Sequence, residues 1–130
     1  MIERYQGMAR EWFKDHVATQ NHYGQDALGA DVRVINWRRP NTGNYAVRFI
    51  LIGGYVLVTG DVGEAVYGFG CPVTFDFLSQ CDWHYFINKC CASETGRAYT
   101  MKISGVKSPV PNVRAIAHYV GLLAAIKQLT

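Results

Sequence analysis

The chain has 130 residues, of which 49% are hydrophobic, 13% aromatic and 18% charged. This composition is typical of a compact globular protein and excludes a disordered chain, so we expect one domain over residues 1–130. The 13 Lys and Arg against 10 Asp and Glu give a formal charge of +3. That charge excludes a decoy that imitates DNA with carboxylates, and it is too small to require nucleic-acid binding.

The sequence lacks the patterns of secretion and of membrane insertion. No charged and then apolar leader is present, and no apolar run approaches the roughly 18 residues that a membrane span needs. Two of the four cysteines, Cys90 and Cys91, are adjacent, a poor start for a disulfide framework because neighbouring residues rarely bridge without strain. We therefore expect reduced thiols in a soluble, cytoplasmic protein that makes no contact with a membrane.

The chain opens on a helical pattern. From Ile2 to about Gln20, apolar side chains recur every three or four residues, which is the period of one helix face. We expect an amphipathic helix there. The following segment, 21–30, contains Gly24 and Gly29 and is predicted to be a loop.

The next forty residues predict an antiparallel sheet. Two apolar runs lie on either side of Gly53-Gly54, a pair that supplies the positive φ of a tight hairpin turn, so these runs should pair directly. Because the runs do not alternate cleanly, they should be central in the sheet or covered on both faces. The predicted strands are Asp31–Arg38, ended by Pro40, then 45–52, 55–59 and 64–69.

The last part of the chain shows patterns that predict helices. Thr74 and Asp82 can cap two short helices, which we expect to run to Gln80 and to about Ser93. We expect a weak strand or extended segment at 97–103, a loop at 104–112, and a long apolar helix over Val113–Leu129. The expected core residues are Trp12, Phe13, Val47, Phe49, Leu57, Val66, Phe77, Phe86, Ile116, Val120 and Leu123.

This order of elements predicts an α+β fold. It comprises an antiparallel sheet of three to five strands with an N-terminal helix, two short helices after the sheet and a C-terminal helix packed on it. The helices are expected on one face of the sheet.

No residue pattern for catalysis or metal binding is complete. Cys81 and His84 have the gap that metal knuckles use, but Cys90 and its neighbour do not repeat it, so we expect thiols, no metal and no cofactor. Asp61 and Glu64 could serve a small hydrolase or a metal-dependent enzyme. The plainer interpretation is that Asp61, after a glycine in a tight corner, bonds to its own backbone.

The best candidate for a binding surface lies at the end of the first predicted strand. Trp37, Arg38 and Arg39 combine a stacking ring with two guanidinium groups, which suits a nucleic acid or a protein partner equally. Arg97 and Lys102, with Tyr45, could extend it. The alternative is that Trp37 is buried and the arginines only solubilise a loop.

Several short segments in the central third of the chain form a series. They are Thr59-Gly60-Asp61, Gly63 to Tyr67, Cys81-Asp82 with Tyr85-Phe86, and Lys89-Cys90 with Ala92-Ser93-Glu94. This series resembles a pattern in small proteins encoded by tailed bacteriophages and prophages. The chain departs from that pattern at Cys91, which occupies a variable position, and at both ends.

The resemblance implies a phage accessory protein that acts inside an infected bacterium. Proteins of that kind are often inhibitors of host defence complexes, including anti-CRISPR proteins. We therefore expect an interaction protein that inhibits a host defence nucleoprotein complex by direct binding, without catalysis. The alternatives are a nucleic-acid-binding module that uses the Trp37 and Arg38 surface, and an enzyme centred on Asp61 and Glu64. A homodimer is also possible.

Overall fold

The computed structural model describes residues 2–93, 100–101, 110–111 and 113–130. Within them, four helices accompany a six-stranded antiparallel sheet and a separate pair of short strands. The elements are α1 (Ile2–Phe13), β1 (Val17–Gln25), β2 (Asp31–Arg38), β3 (Val47–Ile52), β4 (Tyr55–Gly60), β5 (Ala65–Gly68), α2 (Phe75–Ser79), α3 (Trp83–Ile87), β6 (Cys90–Ser93), β7 (Thr100–Met101), β8 (Val110–Pro111) and α4 (Val113–Leu129). The predicted α+β fold is confirmed, but the main sheet has six strands instead of three to five.

The six strands of the main sheet lie in sequence order, from β1 at one edge to β6 at the other. The hairpin between β3 and β4 confirms the role predicted for the two glycines, since Ile52 pairs with Tyr55 across them. Gly53 has a φ of 56°. Gly54 is needed for space, because a Cβ there would lie 2.7 Å from the carbonyl oxygen of Phe69.

The prediction for the region after the first helix was wrong. Helix α1 ends at Phe13, and Val17–Gln25 forms strand β1 where a helix end and a loop were expected. The cause is long-range pairing. Strand β1 pairs with β2 from one end to the other, and the hydrogen bonds of this ladder outweigh the helix propensity of the segment. The helical spacing of His16 and Val17 is therefore coincidental: His16 is buried and Val17 is exposed.

The prediction for the second short helix was also wrong at its end. Asp82 caps α3 as expected, accepting a hydrogen bond from the Tyr85 amide at 2.7 Å, and Thr74 caps α2 in the same way. However, α3 stops at Ile87, and Cys90–Ser93 pairs with β5 as strand β6. The predicted helix Val113–Leu129 is confirmed. Most of the predicted strand and loop at 97–112 lies outside the described residues.

Each of the four described helices packs on the same face of the sheet. The contacts that show this are Phe13 with Trp37, Phe75 with Arg33, Phe86 with Tyr67, and His118 with Tyr67. Among the expected core residues, the buried ones are Phe13, Val47, Phe49, Phe86 and Ile116. The others are partly buried: Trp12, Leu57, Val66, Phe77, Val120 and Leu123. Leu57 and Val66 belong to the opposite face of the sheet, because their neighbours Val58 and Tyr67 face the helices.

A buried histidine joins α4 to the sheet. His118 is fully buried, with Nε2 2.9 Å from the carbonyl oxygen of Val62 and Nδ1 2.8 Å from the hydroxyl oxygen of Tyr67. Because a carbonyl oxygen only accepts, Nε2 carries the proton and Nδ1 accepts from the tyrosine hydroxyl. Burial lowers the pKa of His118 to about 4, so the ring is neutral at pH 7.

Acidification is expected to destabilise the protein through His118. Its folded-state pKa of about 4 lies below the ordinary value near 6.5, so the unfolded chain takes up this proton first as the pH falls. Stability from this group should be complete above about pH 6.5 and decline toward pH 4, by up to about 3 kcal/mol. Urea unfolding across this range measures the decline. In His118→Gln this part of the pH dependence should disappear, and an unchanged slope would contradict the assignment.

A glutamine side chain protects one end of the sheet edge. No described strand pairs with the outer edge of β1. There, the Gln128 side chain accepts a hydrogen bond from the Ala18 amide at 2.8 Å and donates one to the His16 carbonyl at 2.9 Å. The side-chain amide thus bonds to the edge as the backbone of another strand would.

Replacing Gln128 by alanine should destabilise the protein by about 1 kcal/mol or slightly more, because two backbone groups lose their partners. The matched control is Lys127→Ala, which shortens the exposed side chain of the preceding residue in α4. Thermal and urea unfolding of both variants give the comparison. Equal stability of the two variants would show that the Gln128 bonds contribute nothing.

Candidate functional site

The face of the main sheet that points away from the helices is the candidate functional site. We call it the open face, because each described helix contacts the other side. Strand alternation assigns to it the residues Thr19, Val34, Asn36, Arg38, Arg48, Ile50, Tyr55, Leu57, Thr59, Val66 and Ala92. These side chains are partly buried or exposed, whereas those that alternate with them on β3 and β4 are buried.

An apolar band crosses the open face from β2 to β6. It consists of one directly paired residue from each strand, and we call it the aliphatic row: Val34, Ile50, Leu57, Val66 and Ala92. A shallow groove of about 260 Å³ runs along its β4 to β6 end, lined by Leu57, Val66 and Ala92 among others. Five apolar residues that pair directly across adjacent strands form a continuous patch, in which Ala92 is exposed and the other four side chains are half-buried.

A polar band lies next to the aliphatic row, about 7 Å along the strands. Thr19, Asn36, Arg48 and Thr59 pair directly across β1 to β4, and we call them the donor row. The Arg48 Nε donates a hydrogen bond of 3.0 Å to the Asn36 Oδ1, which orients the guanidinium group. A cleft of about 640 Å³ lies over this row, and Arg38 also lines it.

The structure separates the residues of the predicted binding surface. Trp37 is only 2% exposed, with its ring centroid 6.0 Å from that of Phe13 and 5.3 Å from that of His16. It faces the helices, as the alternative interpretation held, and its ring is not accessible to a ligand. Arg38 is exposed on the open face, and Arg39 is exposed in the loop after β2. Arg97 and Lys102 lie outside the described residues.

The structure adds one cation that the sequence prediction missed. Arg48 is the polar residue in the otherwise apolar strand β3, and it shares the open face with Arg38. The alternation of side chains along β3 could have revealed this cation, because it places Arg48 on the same face as Ile50 and on the face opposite to Val47 and Phe49. Tyr45, which was expected to extend the surface, instead stacks on Trp12 with ring centroids 5.2 Å apart.

Asp61, one of the two carboxylates considered for catalysis, has a structural role. Its Oδ2 accepts a hydrogen bond from the Ala46 amide at 3.0 Å, and its own amide donates to the Ala46 carbonyl at 2.9 Å. Asp61 therefore ties the corner after β4 to the start of β3, whereas a bond to its own backbone was expected. Glu64 is exposed nearby.

The metal-ligating residue types do not converge within the described part of the chain. No three His, Cys, Asp or Glu side chains there lie close enough together to hold a metal ion. The four cysteines are free thiols, as expected. Cys81 is buried, its thiol donates to the Phe77 carbonyl at 3.5 Å, and burial raises its pKa. A raised pKa disfavours the thiolate that a metal or a nucleophilic reaction needs.

None of the helices in the described ranges is long and apolar enough to cross a bilayer. No family model, curated protein or solved structure matches this chain. The resemblance to phage accessory proteins stays a prediction.

Substitutions on adjacent residues of β4 should differ sharply in cost, because the two side chains lie on opposite faces. Val58 is 1% exposed, and Val58→Gln should destabilise by about 3 kcal/mol or more because it buries an amide in the core. Leu57→Gln on the open face should cost about 1 kcal/mol or less. Urea unfolding of both variants measures the difference. Equal costs would mean that Leu57 is also covered.

Proposed function

We propose that the protein is a binding protein without catalytic activity, and that it holds a partner protein against the open face. The observation that carries the proposal is the aliphatic row, which runs across five strands on the face opposite the helices. Continuous apolar patches on a protein surface are typical of interaction sites. The apolar centre of such an interface excludes water, and polar residues surround it.

The side chains of the open face favour a protein over a nucleic acid as the partner. Single-stranded nucleic acids bind by stacking bases on aromatic rings, and Trp37, the ring expected for that role, faces the helices. The row itself contains only aliphatic side chains, which have no π-face for a base. Tyr55, 52% exposed, is the aromatic side chain that strand alternation places directly beside the row.

The charges at one end of the open face indicate the charge pattern of the partner's surface. Arg38 and Arg48 lie at the donor-row end, while the aliphatic row carries no charge. The complementary surface has an apolar centre and acidic groups toward one side. Such complementarity steers the encounter and sets the orientation of the partner more than it adds affinity.

A narrower form of the proposal is an inhibitor, encoded by a phage, of a host defence nucleoprotein complex, as anti-CRISPR proteins are. Its support is the resemblance carried by Thr59-Gly60-Asp61 and the later segments, together with a face suited to a protein surface. In this form the open face occupies a subunit surface of the complex and blocks the contact that defence requires. Inhibition then needs no chemistry at Asp61 or Glu64.

The test is a pull-down of the tagged protein from bacterial lysate that expresses defence systems, with and without nuclease. Leu57→Glu should abolish a nuclease-resistant complex, because it places a charge within the apolar contact. The control is Leu28→Glu, which makes the same change at a residue that is 95% exposed and lies in the loop between β1 and β2. Leu28→Glu should bind as the unchanged protein does.

Three outcomes would overturn the proposal. Unchanged binding by Leu57→Glu would place the interface elsewhere. Recovery of nuclease-sensitive material alone, with a steep loss of binding as salt rises, would indicate the nucleic-acid module. Recovery of no complex from lysates with defence systems would direct attention to the enzyme hypothesis at Asp61.

A further inference from the structure

We infer that the cleft over the donor row is a binding site for an oxyanion, meaning a phosphate or carboxylate group. The cleft has a volume of about 640 Å³ and opens on the face of the sheet away from the helices. Its floor is the donor row, and Arg38 and Asp61 stand at its sides. The isolated protein can bind an anion in this cleft without the partner protein proposed above.

The floor of the cleft presents hydrogen-bond donors. Arg48 uses its Nε to bond to the Asn36 Oδ1 at 3.0 Å, which leaves the two terminal nitrogens of the guanidinium for a ligand. The same bond engages the acceptor of Asn36, so its NH₂ group remains as a donor. The hydroxyl groups of Thr19 and Thr59 lie at the two ends of the row and can also donate.

Two cations face this cleft without a described counter-ion. Trp37 pairs with Val47, so Arg38 and Arg48 are diagonal neighbours on β2 and β3, within reach of each other for side chains of this length. Neither guanidinium makes a salt bridge with an acidic residue among those described. Like charges at this spacing repel, and an oxyanion between them relieves the repulsion.

Asp61, the carboxylate that the described part of the chain contributes to the cleft, is partly engaged elsewhere. Its Oδ2 accepts a hydrogen bond from the Ala46 amide at 3.0 Å. Among the described residues, the lining therefore carries two positive charges against one negative charge. That balance selects an anion and rejects a cation.

The cleft also has room beyond the oxyanion itself. Its volume of about 640 Å³ can hold an oxyanion group that is carried on a larger molecule. The planar guanidinium of Arg48, already oriented by Asn36, can bind two oxygens of such a group at once.

The test is a titration of the isolated protein with inorganic phosphate at constant ionic strength, followed by NMR of the backbone amides and of the Asn36 and Arg48 side chains. Saturable shifts at the donor row in the millimolar range are expected. Arg38→Gln and Arg48→Gln should each weaken binding about tenfold, since each removes a charge-assisted hydrogen bond. Arg39→Gln removes the same charge from an exposed loop residue outside the cleft and should bind normally.

Parallel titrations with a phosphomonoester and with a dicarboxylate distinguish the two sources of an oxyanion. Saturation by either one, lost in Arg48→Gln and kept in Arg39→Gln, supports the site and identifies its preferred group. Linear, non-saturating shifts, or equal weakening in all three arginine variants, would overturn the inference, because they indicate general screening of positive charge. Neither result depends on whether Leu57→Glu disrupts a protein complex.

Discussion

The register of the β3–β4 hairpin is the constraint on which the rest of the structure depends. Once Gly53 and Gly54 place Ile52 opposite Tyr55, every side chain of the two strands is assigned to one face. Valines and phenylalanine then face the helices, while Arg48 and Leu57 face away. A slip by one residue would exchange the two sets and bury a guanidinium group in the core, at a cost that no surface contact would offset.

The other end of the hairpin is held with equal specificity. Gly60 adopts a φ of 123°, and a Cβ there would collide with the carbonyl of Ala46. Asp61 then bonds to the amide and the carbonyl of the same Ala46. Because both ends of the hairpin are fixed, the register of β3 and β4 is fixed, and so is the spacing between the aliphatic row and the donor row on these strands.

The sequence predicts elements whose signals are local and fails where structure depends on distant pairing. The caps at Thr74 and Asp82, the diglycine turn and helix α4 were predicted correctly because each is encoded within a few residues. Strands β1 and β6 were missed for a shared reason. They are the two edges of the sheet, their side chains do not alternate between apolar and polar, and only pairing with β2 or β5 makes them strands.

The structure divides the residues of the predicted binding surface between the two faces of the sheet, and the reason is again geometric. Neighbouring residues of a strand point to opposite faces, so Trp37 and Arg38 could not act together once β2 formed. The cation nearest to Arg38 in the register of the open face is Arg48 on the next strand. Because Asn36 pairs with Arg48, Arg38 and Arg48 are diagonal neighbours. Alternation within one strand shows which residues share a face. Which face the helices cover is decided by Phe13 and the other core contacts, so a binding surface on a sheet emerges only when the layers are assembled.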